Sequence, residues 1–318
     1  MLTADDLAHA HQRIADTVVR TPVWSSPQLD AALGCEVHLK CELFQPTGAF
    51  KLRGATNAIR QLPPGTRGVV TESSGNHAQA MAYAGRAAGL RVIVVMAADS
   101  NPAKRAATEA LGATVVSENV DVITRTRFAR DLAAREGFAF VHPFDDWHVI
   151  AGQATAALEL IADVPGLDAI VAPIGGGGLL SGTALACEHR SPTTRVYGAE
   201  PAGGPDAYES LRTGTRVALT EPPITIADGA RTGQLGELTF AVLRDRCAGI
   251  HLVSDDEMRE ALALVWRTTR LLIEPTAAMP IAAILAGAIP GERLGVILSG
   301  GNVDAVALAE TIRNQNGG

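Results

Sequence analysis

The sequence predicts an α/β protein in which parallel-rich sheets are covered by helices. Three observations support this prediction: short β-branched runs alternate with alanine-rich helical stretches, 47% of the 318 residues are hydrophobic, and glycine-containing turns follow several of the apolar runs. The alternation is typical of βαβ units, in which each helix packs on a parallel sheet. A chain of this length can bury a large core and more often forms two lobes than one.

Nine apolar runs have the length and β-branched content of strands. In chain order they are EVHL, GVVT, RVIVV, ATVVS, AFVH, DAIVAPI, RVYGAE, GIHLV and LGVILSG. The helical stretches between most of them are residues 75–88, 102–111, 120–136, 177–188, 254–270 and 275–286. Nine strands are many for one open sheet, so we expect a small domain at 66–143 and a large domain formed by 1–65 and 144–318. A ligand would bind between them, at the carboxyl ends of strands.

The charge pattern excludes two classes of partner. The formal net charge is −7 and the basic residues are scattered, so the sequence has neither the footprint of a nucleic-acid binder nor a polybasic membrane patch. We therefore expect a small-molecule partner, no nucleic acid and no membrane. The N-terminal stretch is charged and helical in period, without an apolar signal core, which favours the cytoplasm.

Four consecutive glycines follow the apolar strand at 168–174 and precede the helix that opens with LLSGTALAC: Gly175, Gly176, Gly177 and Gly178. Without Cβ atoms, successive N–H groups can converge on an anion, and the helix dipole adds positive potential. The turn lacks the Gly-Lys-Ser/Thr ending of a triphosphate loop and fits Gly-x-Gly-x-x-Gly poorly. A monophosphate is the better ligand, and a plain tight turn is the alternative.

Two further turns present polar groups after strands. The turn after strand 68–71 offers Ser73, Ser74, Asn76 and His77 at a helix start, where hydroxyl, amide and backbone N–H groups can bind a carboxylate. The strand that ends at residue 298 is followed by Ser299 in the sequence SGGN. A structural role, such as helix capping, is the alternative for each turn alone.

Lys51 lies in PTGAFKLRGA, between a turn and the first turn of a helix, in a setting too apolar for an ordinary surface lysine. A partly desolvated lysine has a lowered pKa and can form a Schiff base with an aldehyde. A single lysine is more often a solvated charge. Beside a monophosphate loop and a carboxylate-binding turn, however, Schiff-base chemistry is the better interpretation of Lys51.

The motifs TGAFKLRGA, ESSGNHAQA, PIGGGGLLSG and VILSGGN together resemble the pyridoxal 5′-phosphate (PLP) enzymes of the tryptophan synthase β fold, which is fold type II. The resemblance is to the serine/threonine dehydratase and serine racemase branch, and it runs from about residue 4 to 310. It implies a two-domain PLP-dependent fold, PLP as the cofactor, an amino-acid substrate and a homodimer.

By motif, the resemblance also implies the cofactor contacts. Lys51 would carry PLP as a Schiff base, and Phe50 would lie beside the ring. Asn76 would hydrogen-bond the phenolic oxygen, residues 175–178 would bind the phosphate, and Ser299 would meet the pyridine nitrogen. A hydroxyl does not hold that nitrogen protonated, so the ring is a weaker electron sink and fast loss of a β-hydroxyl is favoured.

The reaction that the resemblance implies is β-elimination of L-threonine or L-serine to a 2-oxo acid and ammonia. The turn formed by Ser73, Ser74, Asn76 and His77 would seat the substrate carboxylate, and Lys51 as a neutral amine would remove the Cα proton. Ser74 is the second catalytic candidate, because the matching hydroxyl of the racemase branch acts on the face opposite the lysine.

Several alternatives remain open at this point. Within the branch they are serine racemase and a dehydratase of 3-hydroxyaspartate or another β-hydroxy amino acid. A nicotinamide dehydrogenase would explain the βαβ pattern but gives no role to Lys51. A non-enzymatic module of the same fold would bind the cofactor and release no product.

Two more assignments follow from the family's motifs. The stretch GAEPAGGPDAYES places Glu200, the carbonyl of Gly204 and Asp206 where the family's divalent-cation ligands fall. Oxygen ligands suit Mg²⁺, Ca²⁺ or Mn²⁺, and a surface turn with two solvated acids is the alternative. In TIADGARTGQLG, Thr232 is expected near the substrate side chain, with a plain structural loop as the alternative.

Overall fold

The computed structural model describes residues 1–98, 100, 102–118, 120, 124–306 and 309–310. Within these residues it contains two sheets covered by helices, which confirms the predicted α/β class with parallel-rich sheets. Every strand predicted from the sequence is present. No helix within the same residues combines the length and the apolar character needed to cross a membrane.

The strands are, in chain order, β1 (Val23–Trp24), β2 (Glu36–Cys41), β3 (Gly68–Glu72), β4 (Arg91–Val95), β5 (Thr114–Val116), β6 (Ala139–Phe140), β7 (Ala169–Pro173), β8 (Arg195–Pro201), β9 (Gly249–Val253) and β10 (Arg293–Leu298). The larger sheet has the order β1-β2-β10-β7-β8-β9 and the smaller sheet the order β5-β4-β3-β6. Only β1 pairs antiparallel with its neighbour in the described residues. This strand was not predicted, because two residues are too few to show an alternation.

The α-helices of the described residues are, in chain order, α1 (Ala4–Ile14), α2 (Pro27–Leu33), α3 (Lys51–Ile59), α4 (Asn76–Ala87), α5 (Pro102–Ala110), α6 (Arg125–Glu136), α7 (Trp147–Asp163), α8 (Gly178–Arg190), α9 (Asp206–Thr213), α10 (Glu237–Arg246), α11 (Asp255–Thr269) and α12 (Pro275–Leu285). The helix predicted at 120–136 is present as α6, and residues 121–123 of that prediction lie outside the described residues. α7 was not predicted, because it is buried along most of its length and its sequence shows no continuous polar face.

The larger sheet is covered on both faces because alternate residues of its central strands join different apolar clusters. Ala169 and Val171 of β7 pack with α11 and α12, whereas Ile170 and Ala172 pack with α7 and α8. Successive side chains of a strand point to opposite faces, so the continuous apolar run of β7 is what a doubly covered parallel sheet requires.

The turns that carry the candidate site residues lie at the carboxyl ends of parallel strands. β3 leads directly into α4, and β7 leads through the four glycines into α8. The chain after β10 contacts the segment that leads into α3: the backbone N–H of Phe50 donates a 2.9 Å hydrogen bond to the carbonyl of Ser299. Segments that are far apart in the sequence therefore meet at one place.

The division of the chain into a small domain at 66–143 and a large domain at 1–65 and 144–318 stays a prediction. The strands of the smaller sheet, β3 to β6, lie between residues 68 and 140, and those of the larger sheet lie on either side of this segment in the sequence.

Candidate active site

A cavity of about 520 Å³ lies where the starts of α3 and α4 and the end of β10 meet. It adjoins a smaller cavity of about 50 Å³ that is lined by residues 175–178. The predicted cofactor and substrate residues that line the larger cavity are Phe50, Lys51, Ser73, Ser74, Asn76, His77, Thr232 and Ser299. The structure thus gathers these residues, while the three predicted metal ligands lie elsewhere.

Lys51 is the first residue of α3, and its Nζ donates a 3.0 Å hydrogen bond to the carbonyl oxygen of Pro143. The same Nζ lies 5.3 Å from the centroid of the Phe50 ring. Burial lowers the pKa of Lys51 to about 8, although the carboxylate of Glu274 acts in the opposite direction. Near neutral pH such an amine has a far larger uncharged fraction than an ordinary lysine, so it can serve as nucleophile and as base.

The glycine loop, residues 175–178, connects β7 to the 13-residue helix α8. Gly177 has a φ of +92°, which L side chains rarely adopt. A Cβ atom on Gly176 would lie 2.4 Å from the ring of Phe144, and one on Gly177 would lie 2.9 Å from Cβ of Thr239. Glycine is therefore required both for the backbone conformation and for close packing at a helix start, where N–H groups favour an anion.

Residues 73–77 form the turn from β3 into α4. The hydroxyl oxygens of Ser74 and Ser100 lie 2.6 Å apart, and the N–H of Gly75 donates to Ser73 Oγ at 3.2 Å. His77 is only 2% exposed, and its Nε2 lies 3.0 Å from Thr71 Oγ1. Burial lowers the pKa of His77 well below its ordinary value, so this imidazole is neutral. The serine hydroxyls and a neutral imidazole thus border the cavity at this turn.

Two buried hydroxyl groups at the cavity have no hydrogen-bond partner among the described residues. Ser299, directly after β10, is 1% exposed, and its Oγ is unpaired. The Oγ1 of Thr232 is also unpaired and lies 3.2 Å from where a Cβ on Gly175 would be. Buried polar groups are normally hydrogen-bonded, so both hydroxyls are available to a bound ligand. Thr232 borders the glycine loop as well as the larger cavity.

The side-chain amide of Asn76 is held from two sides. Its Nδ2 donates to both carboxylate oxygens of Glu274, at 2.9 and 3.0 Å, and its Oδ1 accepts a 2.9 Å hydrogen bond from Asn302 Nδ2. Burial raises the pKa of Glu274, while the hydrogen bond from Asn76 acts to lower it. Asn76 is therefore fixed in orientation before any ligand enters the cavity.

The predicted metal ligands Glu200, Gly204 and Asp206 are buried and do not line the cavity. The carboxylate of Glu200 accepts hydrogen bonds from the N–H groups of Ala207 and Tyr208, at 2.7 and 2.8 Å, and Asp206 Oδ2 has no partner among the described residues. Burial and the neighbouring Asp206 raise the pKa of Glu200 to about 8, and burial raises the pKa of Asp206 to about 7. Two buried acids of this kind favour a cation that neutralises both.

This second site offers few side-chain ligands. Within the described residues, no group of three or more His, Cys, Asp and Glu side chains could hold a metal ion. Gly204 lies between the two acids in the sequence, and its N–H donates to the carbonyl of Pro201 at 3.0 Å. A cation here would depend on backbone carbonyls and water for its other ligands.

Several residues that line the cavity were missed at the level of sequence. They are Glu72, Ser100, Lys104, Pro143, Phe144 and Glu274. Glu274 carried a usable signal, because an acidic residue follows an apolar run in LLIEPTAA. Lys104 lies on a surface-patterned helix and had no such signal, since only the fold brings the start of this helix to the cavity. Arg125 was a candidate for a second substrate carboxylate, and the structure places it at the cavity.

A family model described as "Pyridoxal-phosphate dependent enzyme" matches residues 14–300 of this chain. Among curated proteins, a serine racemase of Dictyostelium discoideum is 40% identical over 318 residues and covers 98% of each chain. An L-threo-3-hydroxyaspartate ammonia-lyase of Saccharomyces cerevisiae is 42% identical over 320 residues, which are 99% of this chain and 98% of that protein.

Among solved structures, a threonine deaminase of T.th. superposes with a TM-score of 0.92. It is 45% identical in sequence, and the alignment covers 95% of this chain and 99% of that chain. The threonine deaminase shares the fold of this chain over nearly its whole length. The names of the three proteins cover three different reactions of amino acids.

Proposed function

Because this chain belongs to the family of pyridoxal-phosphate dependent enzymes, we propose that it eliminates water from L-threonine or L-serine and releases a 2-oxo acid and ammonia. The family resemblance drawn from the motifs is confirmed by the family match over residues 14–300. One observation carries the proposal: Lys51, with its pKa lowered to about 8, lies in one cavity with the polar turn at 73–77. The likeness to a threonine deaminase supports it.

The residues present fit pyridoxal phosphate. The unpaired Oγ of Ser299 offers a partner for the ring nitrogen. The glycine loop, whose close packing against Phe144 and Thr239 leaves no room for Cβ atoms, offers backbone N–H groups at the start of α8 to the phosphate. Lys51 would hold the aldehyde carbon, Phe50 would lie beside the ring, and Asn76 would meet the phenolic oxygen. When bound, the cofactor delocalises the electron pair that remains as the Cα–H bond breaks.

The protein's own groups supply binding and proton transfer. The start of α4, with Ser73 and Ser74, binds the substrate carboxylate through hydroxyl and backbone N–H groups, since the N-terminus of a helix favours an anion. The neutral Nζ of Lys51 takes the Cα proton, a role open to it because burial disfavours the ammonium form.

The reaction balances without an oxidant or reductant. The Cα–H and Cβ–O bonds break, the Cα proton passes to Lys51, and the hydroxyl leaves with a proton as water. The resulting 2-amino-2-alkenoic acid is hydrolysed by water to the 2-oxo acid and ammonia. The sum is one amino acid converted to one 2-oxo acid and one ammonia.

Racemisation of serine is a second candidate, favoured by the hydroxyl pair of Ser74 and Ser100. Their 2.6 Å separation gives Ser74 a neighbour that can return a proton to it. If Ser74 Oγ delivers a proton to Cα on the face opposite Lys51, the configuration is inverted instead of the β-hydroxyl being lost. A serine at this position permits the reaction but does not by itself decide between the two outcomes.

We also propose that Glu200, the Gly204 carbonyl and Asp206 bind a divalent cation such as Mg²⁺, Ca²⁺ or Mn²⁺. The unpaired Oδ2 of Asp206 and the raised pKa of both acids support the site. A homodimer, a cytoplasmic location and the two-domain division remain predictions. The homodimer can be tested by sedimentation velocity of the purified protein.

One experiment tests the proposed reaction most directly. The holoenzyme is incubated separately with L-threonine, L-serine, D-serine and the 3-hydroxyaspartates, and both the 2-oxo acid and the enantiomers of the remaining amino acid are measured. We expect 2-oxo acid from L-threonine or L-serine. If none of these amino acids yields 2-oxo acid, the elimination proposal is wrong; serine of the opposite configuration would establish the second candidate.

A further inference from the structure

Glu72 is a buried acid at the wall of the larger cavity. It is the last residue of β3, precedes the carboxylate-binding turn directly, and is 3% exposed. Its Oε2 accepts a 2.6 Å hydrogen bond from Arg125 Nε, and its Oε1 accepts one from the hydroxyl of Thr126. Both carboxylate oxygens are thus engaged by consecutive residues at the start of α6, more than 50 residues away in the sequence.

The charged side chains that line this cavity are nearly balanced. The basic ones are Lys51, Lys104, Arg125 and Arg231, and the acidic ones are Glu72, Asp228 and Glu274. Lys51 is assigned to the cofactor, Lys104 contacts Asp228, and Arg125 pairs with Glu72. Arg231 donates to the carbonyl of Pro223 at 3.3 Å and is exposed. Apart from Lys51, each buried or half-buried basic side chain described at this cavity has a carboxylate partner.

The balance of charges in the cavity affects which charge the substrate side chain can carry. The proposed reaction places the α-carboxylate at the helix start, within reach of Ser73 and Ser74. A second carboxylate on the substrate would need a basic group, and Arg125 lies beside the carboxylate-binding turn, because it pairs at 2.6 Å with Glu72, the residue that directly precedes this turn. To pair with Arg125, however, the ligand must stand beside the buried Glu72 carboxylate, and two like charges repel strongly where little water screens them.

We infer that Glu72 determines the substrate class of this cavity: by neutralising Arg125 it favours amino acids with an uncharged side chain over dicarboxylic ones. The inference rests on the proposed function, because it assumes that an amino acid occupies this cavity. Glu72 acts through Arg125 and is a specificity-determining residue, without a role in proton transfer.

The test compares two ligands that differ in charge and hardly in shape, L-aspartate and L-asparagine. Neither carries a β-hydroxyl group, so elimination of water does not interfere, and the ratio of their dissociation constants on the holoenzyme is measured by calorimetry. The wild-type protein is expected to prefer L-asparagine. In Glu72→Gln the ratio is expected to move toward L-aspartate by at least about tenfold, which corresponds to about 1.4 kcal/mol.

A matched control removes the same kind of arginine–glutamate ion pair at a place outside the cavity. Glu188 pairs with Arg246 through the same Nε geometry at 2.7 Å, but it does not line the cavity. Glu188→Gln is therefore expected to leave the ratio unchanged. In the double variant Glu72→Gln/Arg125→Gln, the shift toward L-aspartate is expected to disappear. If the shift persists, Arg125 does not bind the second carboxylate and the inference is overturned.

Arg125→Gln alone keeps the inference testable if Glu72→Gln does not fold, as judged by thermal unfolding. It leaves the Glu72 carboxylate without its basic partner, so L-aspartate binding should weaken further relative to L-asparagine. An unchanged ratio in the folded variants, or a shift of Glu72→Gln toward L-asparagine, would overturn the inference.

The binding ratio and the turnover assay fail independently. If no hydroxy amino acid yields a 2-oxo acid but the ratio moves as expected, the proposed function is wrong and the role of Glu72 stands. If L-threonine is turned over and the ratio does not move, the role of Glu72 is wrong and the proposed function stands.

Discussion

The guanidinium of Arg53 donates two parallel hydrogen bonds to the carboxylate of Glu159, each 2.8 Å long, and both side chains are almost fully buried. Arg53 also pairs with Glu42, and Lys40 Nζ lies 2.7 Å from Glu159. Arg53 lies two residues after Lys51 in α3, while Glu159 belongs to α7. This charged cluster therefore fixes the helix that carries the candidate catalytic lysine against α7, which covers one face of the larger sheet.

Removing one member of the cluster should destabilise the protein strongly. Glu159→Gln leaves buried basic groups without their full counter-charge, which costs about 3–5 kcal/mol of the free energy of unfolding when a buried pair is broken. We expect a loss of this size near pH 7, measured by urea unfolding. Glu188→Gln breaks a partly exposed pair and should cost at most about 1 kcal/mol.

The effect of Glu159→Gln on the free energy of unfolding should depend on pH. Burial alone would raise the pKa of Glu159, but hydrogen bonds from His11 and Arg53 lower it well below its ordinary value. A carboxyl group with a lowered folded-state pKa contributes stability above its unfolded-state pKa and loses that contribution as the pH falls. The difference between the wild type and Glu159→Gln should therefore shrink on acidification below about pH 4; a difference that grows would contradict the assignment.

Lys51→Ala should abolish covalent attachment of the cofactor. Borohydride reduction followed by mass spectrometry is expected to find the cofactor on Lys51 in the wild type and on no residue of the variant. Elimination should fall by about 10²–10⁴-fold through loss of the general base alone. Lys104→Ala, at the other lysine of the cavity, should keep the label, and wild-type turnover by Lys51→Ala would refute the role of base.

The lowered pKa of Lys51 predicts how the apoenzyme captures pyridoxal phosphate. Only the neutral amine attacks the aldehyde, so the rate of covalent capture should rise with pH through a midpoint near 8. Glu274→Gln should move this midpoint to lower pH, because the Glu274 carboxylate raises the pKa of Lys51. A wild-type midpoint near 10, as for an exposed lysine, would contradict the burial argument.

Gly177→Ala should weaken cofactor binding more than a comparable change elsewhere. It combines a left-handed backbone with a Cβ only 2.9 Å from Thr239, at the proposed phosphate cradle. Gly65 has a similar φ of +82°, but a Cβ there would meet nothing within 4 Å. The control is therefore Gly65→Ala. Titration of the two apo variants with pyridoxal phosphate should give an affinity at least about tenfold weaker than that of the wild type for Gly177→Ala and an unchanged affinity for Gly65→Ala. Equal affinities of the two variants would argue against a phosphate in this loop.

If Glu200, Gly204 and Asp206 bind a divalent cation, such cations should stabilise the folded protein. After dialysis against a chelator, Mg²⁺ should raise the thermal unfolding temperature, since a ligand at about 100 times its Kd stabilises the folded state by about 2.7 kcal/mol. Asp206→Asn should remove this response, and KCl at matched ionic strength serves as the control. If Mg²⁺ changes neither stability nor activity, the site at Glu200, Gly204 and Asp206 does not bind it.

Much of the fold was predictable because its signals are local. A buried parallel strand is a short apolar run, and a glycine-rich or hydroxyl-rich turn follows it directly, so the order of strands and turns could be predicted from the sequence. α7 was not predicted, because burial on most sides leaves no polar stripe in its sequence. β1 was not predicted, because two residues are too few to show a period. The boundary between the two lobes has no local signal, and it stays a prediction.

The sequence by itself determined the local elements of the site: Lys51 at a helix start, the glycine loop, the turn at 73–77 and Ser299 after a strand. Only the tertiary structure decided which distant groups act on them, such as Glu274 on Asn76, Phe144 on the glycine loop and Pro143 on Lys51. The physical reason is that a local motif depends on backbone conformation over a few residues, whereas charge pairing and burial depend on which strand ends the fold brings together. The pair of Glu72 and Arg125, which we propose sets the substrate class, belongs to that second kind.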